Sequence, residues 1–145
     1  MKFFKSINPQ LAETEIHVKT YDEMAFDAVK SRFERLIKLE TTEGLRMIKG
    51  SEIIYVESLR NYQEIHLADL SVLRVRSPLY RLKLQLGAEF AQVARSYLIN
   101  IQLLTRVEND LVNGLVARVS GHKIPISQRF LPELNEKLDT QEEIL

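Results

Sequence analysis

The stretch EIIYVESLRNYQEIHL, residues 52–67, decides how this chain folds. Its first half is an apolar run that ends at Glu57, which is typical of a buried strand. Its second half, from Tyr62, alternates in part, with Ile65 and Leu67 as apolar positions. A polar loop separates the two halves. The stretch therefore predicts two strands joined by a short connection.

Similar patterns continue on both sides of this pair. LRMIK lies before it, and SVLRVRS, FAQVARSYLINIQLLTRVE, LVARVS and KIPISQ lie after it. Asn113-Gly114 is a strong two-residue hairpin signal. Turn signals recur about every 8–12 residues, which indicates an all-β sandwich or barrel-like domain. The exceptions are PLYRLKLQL, between Pro78 and Gly87, and PELNEKL, which begins at Pro132. Both read as short helices.

The N-terminal part has a different texture. TEIHVKT, residues 14–20, alternates and predicts a short strand. Thr20 and Glu23 have capping-box spacing, which predicts a helix over about residues 21–40. Its apolar face would carry Ala25, Val29, Phe33 and Leu36, with Met24, Ala28 and Ile37 beside them. TTEG, which follows, is expected to be a loop. We therefore divide the chain into a strand–helix extension (1–43), a β domain (44–138) and an acidic tail (139–145).

The charges are unevenly distributed, although the chain has 20 basic and 20 acidic residues. Residues 46–131 carry 12 basic and 7 acidic side chains, a net charge of +5, and nine of the cations are arginines. Residues 132–145 carry 1 basic and 5 acidic side chains, a net of −4. Arginine suits bidentate contact with phosphate and guanine, so the basic middle weakly favours a polyanionic partner. Arginines that only solvate a sheet face are the alternative.

Several functional classes find no support. Cysteine is absent and no glycine-rich phosphate loop is present. The histidines (17, 66 and 122) lack ligand spacing, so we expect scattered surface or edge positions and no metal site. Ser96 has no adjacent histidine or lysine that could serve as a general base, so a hydrolase is the least favoured hypothesis. We expect no cofactor, no small-molecule substrate and no enzymatic activity. No membrane span or secretory signal is evident, and we expect a cytoplasmic protein.

Three segments together resemble the LytTR family of DNA-binding domains. They are residues 52–67, FAQVARSYLINI (90–101) and GHKIPISQRFLPEL (121–134). The family has an I-x-Y-x-E…N-Y…I strand pair, an F-x-x-x-x-R-S-Y-x-x-N segment and a final I-P-V-S-R-R segment. The resemblance covers about residues 44–138. Ala94 stands where many relatives have histidine, and Gln128 replaces the first arginine of the last motif.

The resemblance implies a β fold of about ten short strands that presents loops, rather than a helix, to the major grooves of double-stranded DNA. By position, the DNA-binding residues would be Arg60, Asn61, Tyr62, Arg95, Ser96, Lys123, Gln128 and Arg129. The residue types suit this chemistry, since arginine can fork onto guanine and asparagine onto adenine. Lys123 and Ser96 better suit phosphate oxygens.

Structural roles compete with DNA contact at some of these positions. For Tyr62, packing on the sheet and contact with DNA are equally favoured. Burial of an unpaired Arg95 would be costly, so we expect this side chain to project from a loop. Asn100 is expected to be a structural turn or ladder residue. Glu57 would repel phosphate, and we expect it to orient an arginine.

The resemblance is to stand-alone members, because 45 residues cannot hold a receiver domain. Some of these members are encoded with a membrane protein that restrains them, which adds such a protein to the candidate partners. The helix either covers the β domain or pairs with its copy in a homodimer that binds two half-sites. A sequence-specific transcription regulator is thus the first hypothesis. The alternative is a protein-interaction module whose basic β surface binds an acidic partner.

Overall fold

A computed structural model describes residues 4–144, except for the side chains of residues 31–34 and 140–144. Helix α1 spans Glu23–Glu34, α2 spans Leu79–Leu86 and α3 spans Leu131–Ile144. The strands are β1 Leu36–Thr41, β2 Gly44–Lys49, β3 Ile53–Ser58, β4 Gln63–Leu67, β5 Val72–Val75, β6 Phe90–Ala94, β7 Tyr97–Asn100, β8 Leu104–Asp110, β9 Gly114–Val119 and β10 His122–Pro125. The expected fold class, mainly β with ten short strands and a C-terminal helix, is confirmed.

The strands form two antiparallel sheets. The larger has seven strands in the order β2-β1-β5-β4-β3-β7-β6, and the smaller has three in the order β10-β9-β8. Residues 52–67 supply the β3–β4 pair, in which Val56 lies opposite Ile65. On the other side of β3, Glu57 lies opposite Tyr97 of β7. The end of β3 therefore meets the start of β7, and the connections that follow β3 and precede β7 open at the same end of the sheet.

A hydrophobic cluster packs on each face of the large sheet. Leu98 and Ile99 are consecutive in β7, so they point to opposite faces, and they belong to different clusters. The first cluster includes Val56, Ile65 and the helix α2. The second lies between the large sheet, the small sheet and α3, which contributes the buried Leu134. The protein thus has two cores that share one sheet.

Helix α2 has the boundaries that the sequence predicted. Pro78 is its N-cap, with a φ of −60°, and Gly87 is its C-cap, with a φ of 89°. A positive φ is readily adopted only by glycine, which explains why the helix ends there. Leu82 and Leu86, one turn apart, are both fully buried in the first core.

The predicted strand at residues 14–20 is wrong. The structure places no strand in this segment, and Val18 alone among its side chains is half-buried. A strand needs a neighbour that accepts and donates its backbone hydrogen bonds, and alternation alone does not supply one.

Among the described residues, no helix has both the length and the apolar composition that crossing a bilayer requires.

The predicted helix over residues 21–40 is correct only up to Glu34. Leu36–Thr41 instead forms β1 and pairs along its whole length with β2. Ile37 and Leu39 are buried while their neighbours are exposed. Burial therefore alternates with the period of two residues that a strand requires, and this segment does not continue the helix. The helix cap also differs, because the Asp22 carboxylate, not the Thr20–Glu23 pair, accepts the Ala25 backbone N–H at 2.7 Å.

Helix α3 is longer than the short helix that the sequence predicted. It begins at Leu131 and runs to Ile144, so most of the expected acidic tail is helical. Its sequence after Pro132 consists largely of strong helix formers, including glutamate, leucine, lysine and glutamine. These residues leave no signal that would end the helix earlier.

Candidate nucleic-acid interface

Three loops come together at one end of the large sheet. We call residues 59–62 the first loop, residues 95–96 the second loop and residues 126–129 the third loop. The backbone N–H of Ser58, just before the first loop, donates to the carbonyl of Ser96 at 2.7 Å. The N–H of Ser127 donates to the carbonyl of Val93 at 2.8 Å, two residues before Arg95. These two bonds fix the first and third loops on either side of the second.

The first loop is a tight connection closed by its own backbone, since the N–H of Leu59 donates to the carbonyl of Tyr62 at 2.9 Å. Arg60 and Asn61 lie at its tip and are exposed, whereas Tyr62 is half-buried at the start of β4. Neither Arg60 nor Asn61 forms an ion pair or side-chain hydrogen bond within the described part of the chain. Both side chains are therefore available to a partner.

The second loop is the two-residue turn between β6 and β7. Arg95 is exposed there, and Ser96 is half-buried. Arg95 thus projects from a loop, as the cost of burying an unpaired cation led us to expect. Its guanidinium has no carboxylate partner among the described residues, and only its backbone carbonyl is engaged, by the Gln92 side chain at 3.3 Å.

The third loop connects β10 with α3. Gln128 and Arg129 lie in a short turn of helix and are both exposed. The Arg129 guanidinium lies 5.9 Å from the ring centre of Phe130. This long contact leaves the N–H groups of Arg129 able to donate elsewhere.

Lys123 is placed differently from the other predicted site residues. It lies within β10 of the small sheet, and its ammonium donates to the Asp110 carboxylate at 2.7 Å. That bond, together with the backbone N–H groups of Val112 and Asn113, holds the pKa of Asp110 well below its usual range. A phosphate that binds Lys123 would therefore share it with a carboxylate.

Arg74, which is not among the predicted site residues, lies beside the first loop. Its guanidinium carbon lies 5.0 Å from the ring centre of Tyr62, a cation–π distance. Its Nε lies 3.7 Å from a carboxylate oxygen of Glu64, the residue opposite it on β4. Arg74 belongs to the predicted strand SVLRVRS, but the register that brings it to Tyr62 is not visible in the sequence.

The expected role of Glu57 is wrong. Its carboxylate orients a tyrosine rather than an arginine, because it accepts the hydroxyl of Tyr97 at 3.0 Å. Burial of the hydroxyl and this hydrogen bond to a carboxylate raise the pKa of Tyr97 to about 12. The Glu57–Tyr97 hydrogen bond links β3, which precedes the first loop, to β7, which follows the second loop.

Asn100 has the structural role that we expected. It is almost fully buried at the end of β7, and its amide donates to the carbonyl of Ile53 at 2.9 Å. Its side-chain oxygen accepts the N–H of Gln102 at 3.0 Å. Asn100 therefore ties β7 to the start of β3 and caps the short turn that follows.

Two of the three histidines converge, contrary to the expectation that they are scattered. The His66 ring stacks on Tyr55 at 4.2 Å between ring centres, and the His122 ring lies 5.4 Å from the same tyrosine. Burial is the main cause that lowers the pKa of His66. His17 remains apart in the N-terminal segment, where it contacts Glu15. The convergence of His66 and His122 depends on the contact between the two sheets. The spacing of the histidines in the sequence does not reveal this contact.

Comparison with known proteins gives a consistent picture. The model of the LytTr DNA-binding domain family matches residues 43–139 of this chain. Among solved structures, the chain is similar to a LytTr DNA-binding domain from Bacillus cereus, with a TM-score of 0.60 and 18% identity. The similarity covers 71% of this chain and 95% of that one. No curated protein matches.

Proposed function

Because this chain belongs to the LytTR family of DNA-binding domains, we propose that it is a transcription regulator that recognises specific sequences in double-stranded DNA. The observation that carries the proposal is the meeting of the three loops at one end of the large sheet. Arg60, Arg95 and Arg129 are exposed on those loops, and within the described residues none of them forms an ion pair. In a bacterial cell, a regulator of this kind would act in the cytoplasm, where the DNA is.

The chemistry of the loop residues supports contact in the major groove. Arginine can donate two hydrogen bonds to O6 and N7 of guanine, and asparagine or glutamine can pair with adenine. We therefore assign base contacts to Arg60, Asn61, Arg95, Gln128 and Arg129. Ser96 and Lys123 are assigned to phosphate oxygens, which fix the position of the protein on the duplex. Tyr62, held by Arg74, would support the first loop and lend its hydroxyl.

Arg129→Ala tests the proposal directly. We expect it to weaken binding to the preferred duplex by about 1–3 kcal/mol and to relax the preference at one base pair. The preferred duplex would come from selection in a random pool, and affinities would be measured at several salt concentrations. Arg46→Ala, which removes an exposed arginine from the edge strand β2, is the matched control. Equal weakening on specific and random duplexes would demote Arg129 to a phosphate contact.

Arg95 and Lys123 should differ in the same assay. Arg95→Ala should reduce specific binding most, because its guanidinium is exposed and has no described ion-pair partner. Lys123→Ala should weaken all duplexes alike and lower the slope of log affinity against log salt by about one. Intact specific binding after Arg95→Ala would contradict the assignment of a base contact.

We propose further that two copies bind two half-sites through α1. Ala25 and Val29 are half-buried, while Phe26 and Met24 keep 39% and 80% of their surface exposed. Of the rest of the predicted stripe, Leu36 lies in β1 and the side chain of Phe33 lies outside the described residues. Light scattering over a concentration series tests this, with Met24→Glu as the variant. A monomer at every concentration would contradict the proposed homodimer.

Two further partners remain to be tested. Some members of the family that the chain resembles are encoded with a restraining membrane protein; we propose such a protein as a candidate partner and expect it to reduce DNA binding when the two are co-expressed. The alternative function, a module that binds an acidic protein through its basic β surface, predicts no sequence preference in the random-pool selection. It also predicts that the loop variants leave duplex binding unchanged.

A further inference from the structure

Three potential metal ligands lie on one face of the β3–β4 pair. Glu57 is directly opposite Glu64. His66 lies two residues beyond Glu64 and therefore on the same face. The ligand atoms of the three side chains lie within 4.8 Å of one another, and all three residues are half-buried. In the part of the chain that the structure describes, no other group of three such side chains converges in this way.

The three side chains retain free coordinating atoms. Glu57 accepts the hydroxyl of Tyr97 with one oxygen, which leaves its second oxygen available. The oxygen of Glu64 nearest to Arg74 is 3.7 Å away, too long for a hydrogen bond. The Nε2 atom of His66 is buried and has no hydrogen-bond partner. A buried polar atom without a partner is uncommon and calls for a physical explanation.

The local electrostatics also favour a cation. Carboxylates directly opposite each other on neighbouring strands repel. Arg74, on β5, lies on the side of Glu64 away from Glu57, and the ring of Tyr55 stacks on His66 and contacts the rings of Tyr97 and His122. The pair of carboxylates is thus only partly compensated within the described residues.

We propose that Glu57, Glu64 and His66 bind a divalent cation of the zinc class, with water completing the coordination. One imidazole nitrogen and two carboxylate oxygens suit zinc, whereas calcium and magnesium prefer oxygen ligands in larger number. Tetrahedral zinc holds its ligand atoms about 3.3 Å apart. Rotation of the Glu57 and Glu64 side chains would bring the three ligand atoms to this separation without movement of the strands.

This inference goes beyond DNA binding, and its test needs no DNA. Zinc chloride is titrated into the full chain by calorimetry, and cobalt(II) is added as a spectroscopic probe. We expect one zinc per chain and cobalt absorption bands typical of nitrogen and oxygen ligands. His66→Gln and Glu64→Gln should each weaken zinc binding about tenfold or more and remove the cobalt bands.

Two control variants make the result specific. His122→Gln removes the other histidine that contacts Tyr55, and it should leave zinc affinity unchanged. His17→Ala removes the exposed histidine beside Glu15, and it should also leave the affinity unchanged. Circular dichroism confirms that each variant is folded. No zinc binding, equal binding by the cluster variants, or loss of binding in His17→Ala would overturn the proposal.

Discussion

Replacing Asn100 by alanine should destabilise the protein strongly while leaving the residues proposed to contact DNA intact. The change removes the donor to the Ile53 carbonyl, at 2.9 Å, and the acceptor of the Gln102 N–H, at 3.0 Å. Each bond contributes about 1 kcal/mol net, and a buried group left without a partner costs about 1–3 kcal/mol. The third contact, to the carbonyl of Gly50 at 3.4 Å, adds little. We expect a loss of about 2–4 kcal/mol.

The assay is equilibrium unfolding in urea, with Asn61→Ala as the matched control. Asn61 is exposed in the first loop, so its replacement should change the free energy of unfolding by less than about 0.5 kcal/mol. Asn61→Ala should weaken specific DNA binding, and Asn100→Ala should not, when measured on folded protein. A loss below about 1 kcal/mol for Asn100→Ala, at unchanged m-value, would refute the reasoning.

Three further predictions concern stability. Burial and the bond to Glu57 raise the pKa of Tyr97 from 10 to about 12, so the stability linked to its neutral hydroxyl is full below pH 10 and lost as the pH rises through 12. Tyrosinate absorbance should therefore show a late component that Tyr97→Phe removes. Phe90→Ala should cost about 3–5 kcal/mol in thermal unfolding, because the ring is fully buried. Glu133 accepts the N–H of Gln92 at 2.6 Å, so Glu133→Ala should cost about 1–3 kcal/mol and Glu133→Gln, which keeps an acceptor, much less.

The strands from Leu45 onward could be predicted because alternation and turn residues agree there. The hairpin predicted at Asn113-Gly114 exists, but its turn has three residues, 111–113, because Asp110 pairs with Gly114, whose φ is 74°. The errors lie where a local pattern has two solutions. Leu36 and Ile37 fit a helical stripe as well as a strand, and pairing with β2 decides between them. Residues 14–20 alternate too, but no described strand pairs with them.

The exposed loop positions of Arg60, Asn61, Arg95, Gln128 and Arg129 could be predicted from the sequence because each motif is contiguous. Arg74 could not, since its approach to Tyr62 depends on the register between β4 and β5. The partner of Glu57 was wrong for the same reason, because Tyr97 lies 40 positions away and faces it only through the pairing of β3 with β7. Cross-strand neighbours are set by register, which a single sequence specifies only weakly.

The second core holds the elements that flank two of the three loops. Ile124 and Leu134 of α3, on either side of the third loop, and Val93, just before the second loop, all pack in the second cluster. Proteins open in cooperative units that follow such divisions, so a fluctuation that loosens the second core would displace the second and third loops together. Under the proposed function, discrimination between complete and half-matched DNA sites would then depend on how tightly this unit closes. A mutation in the second core would change the preferred DNA site through the population of the open form.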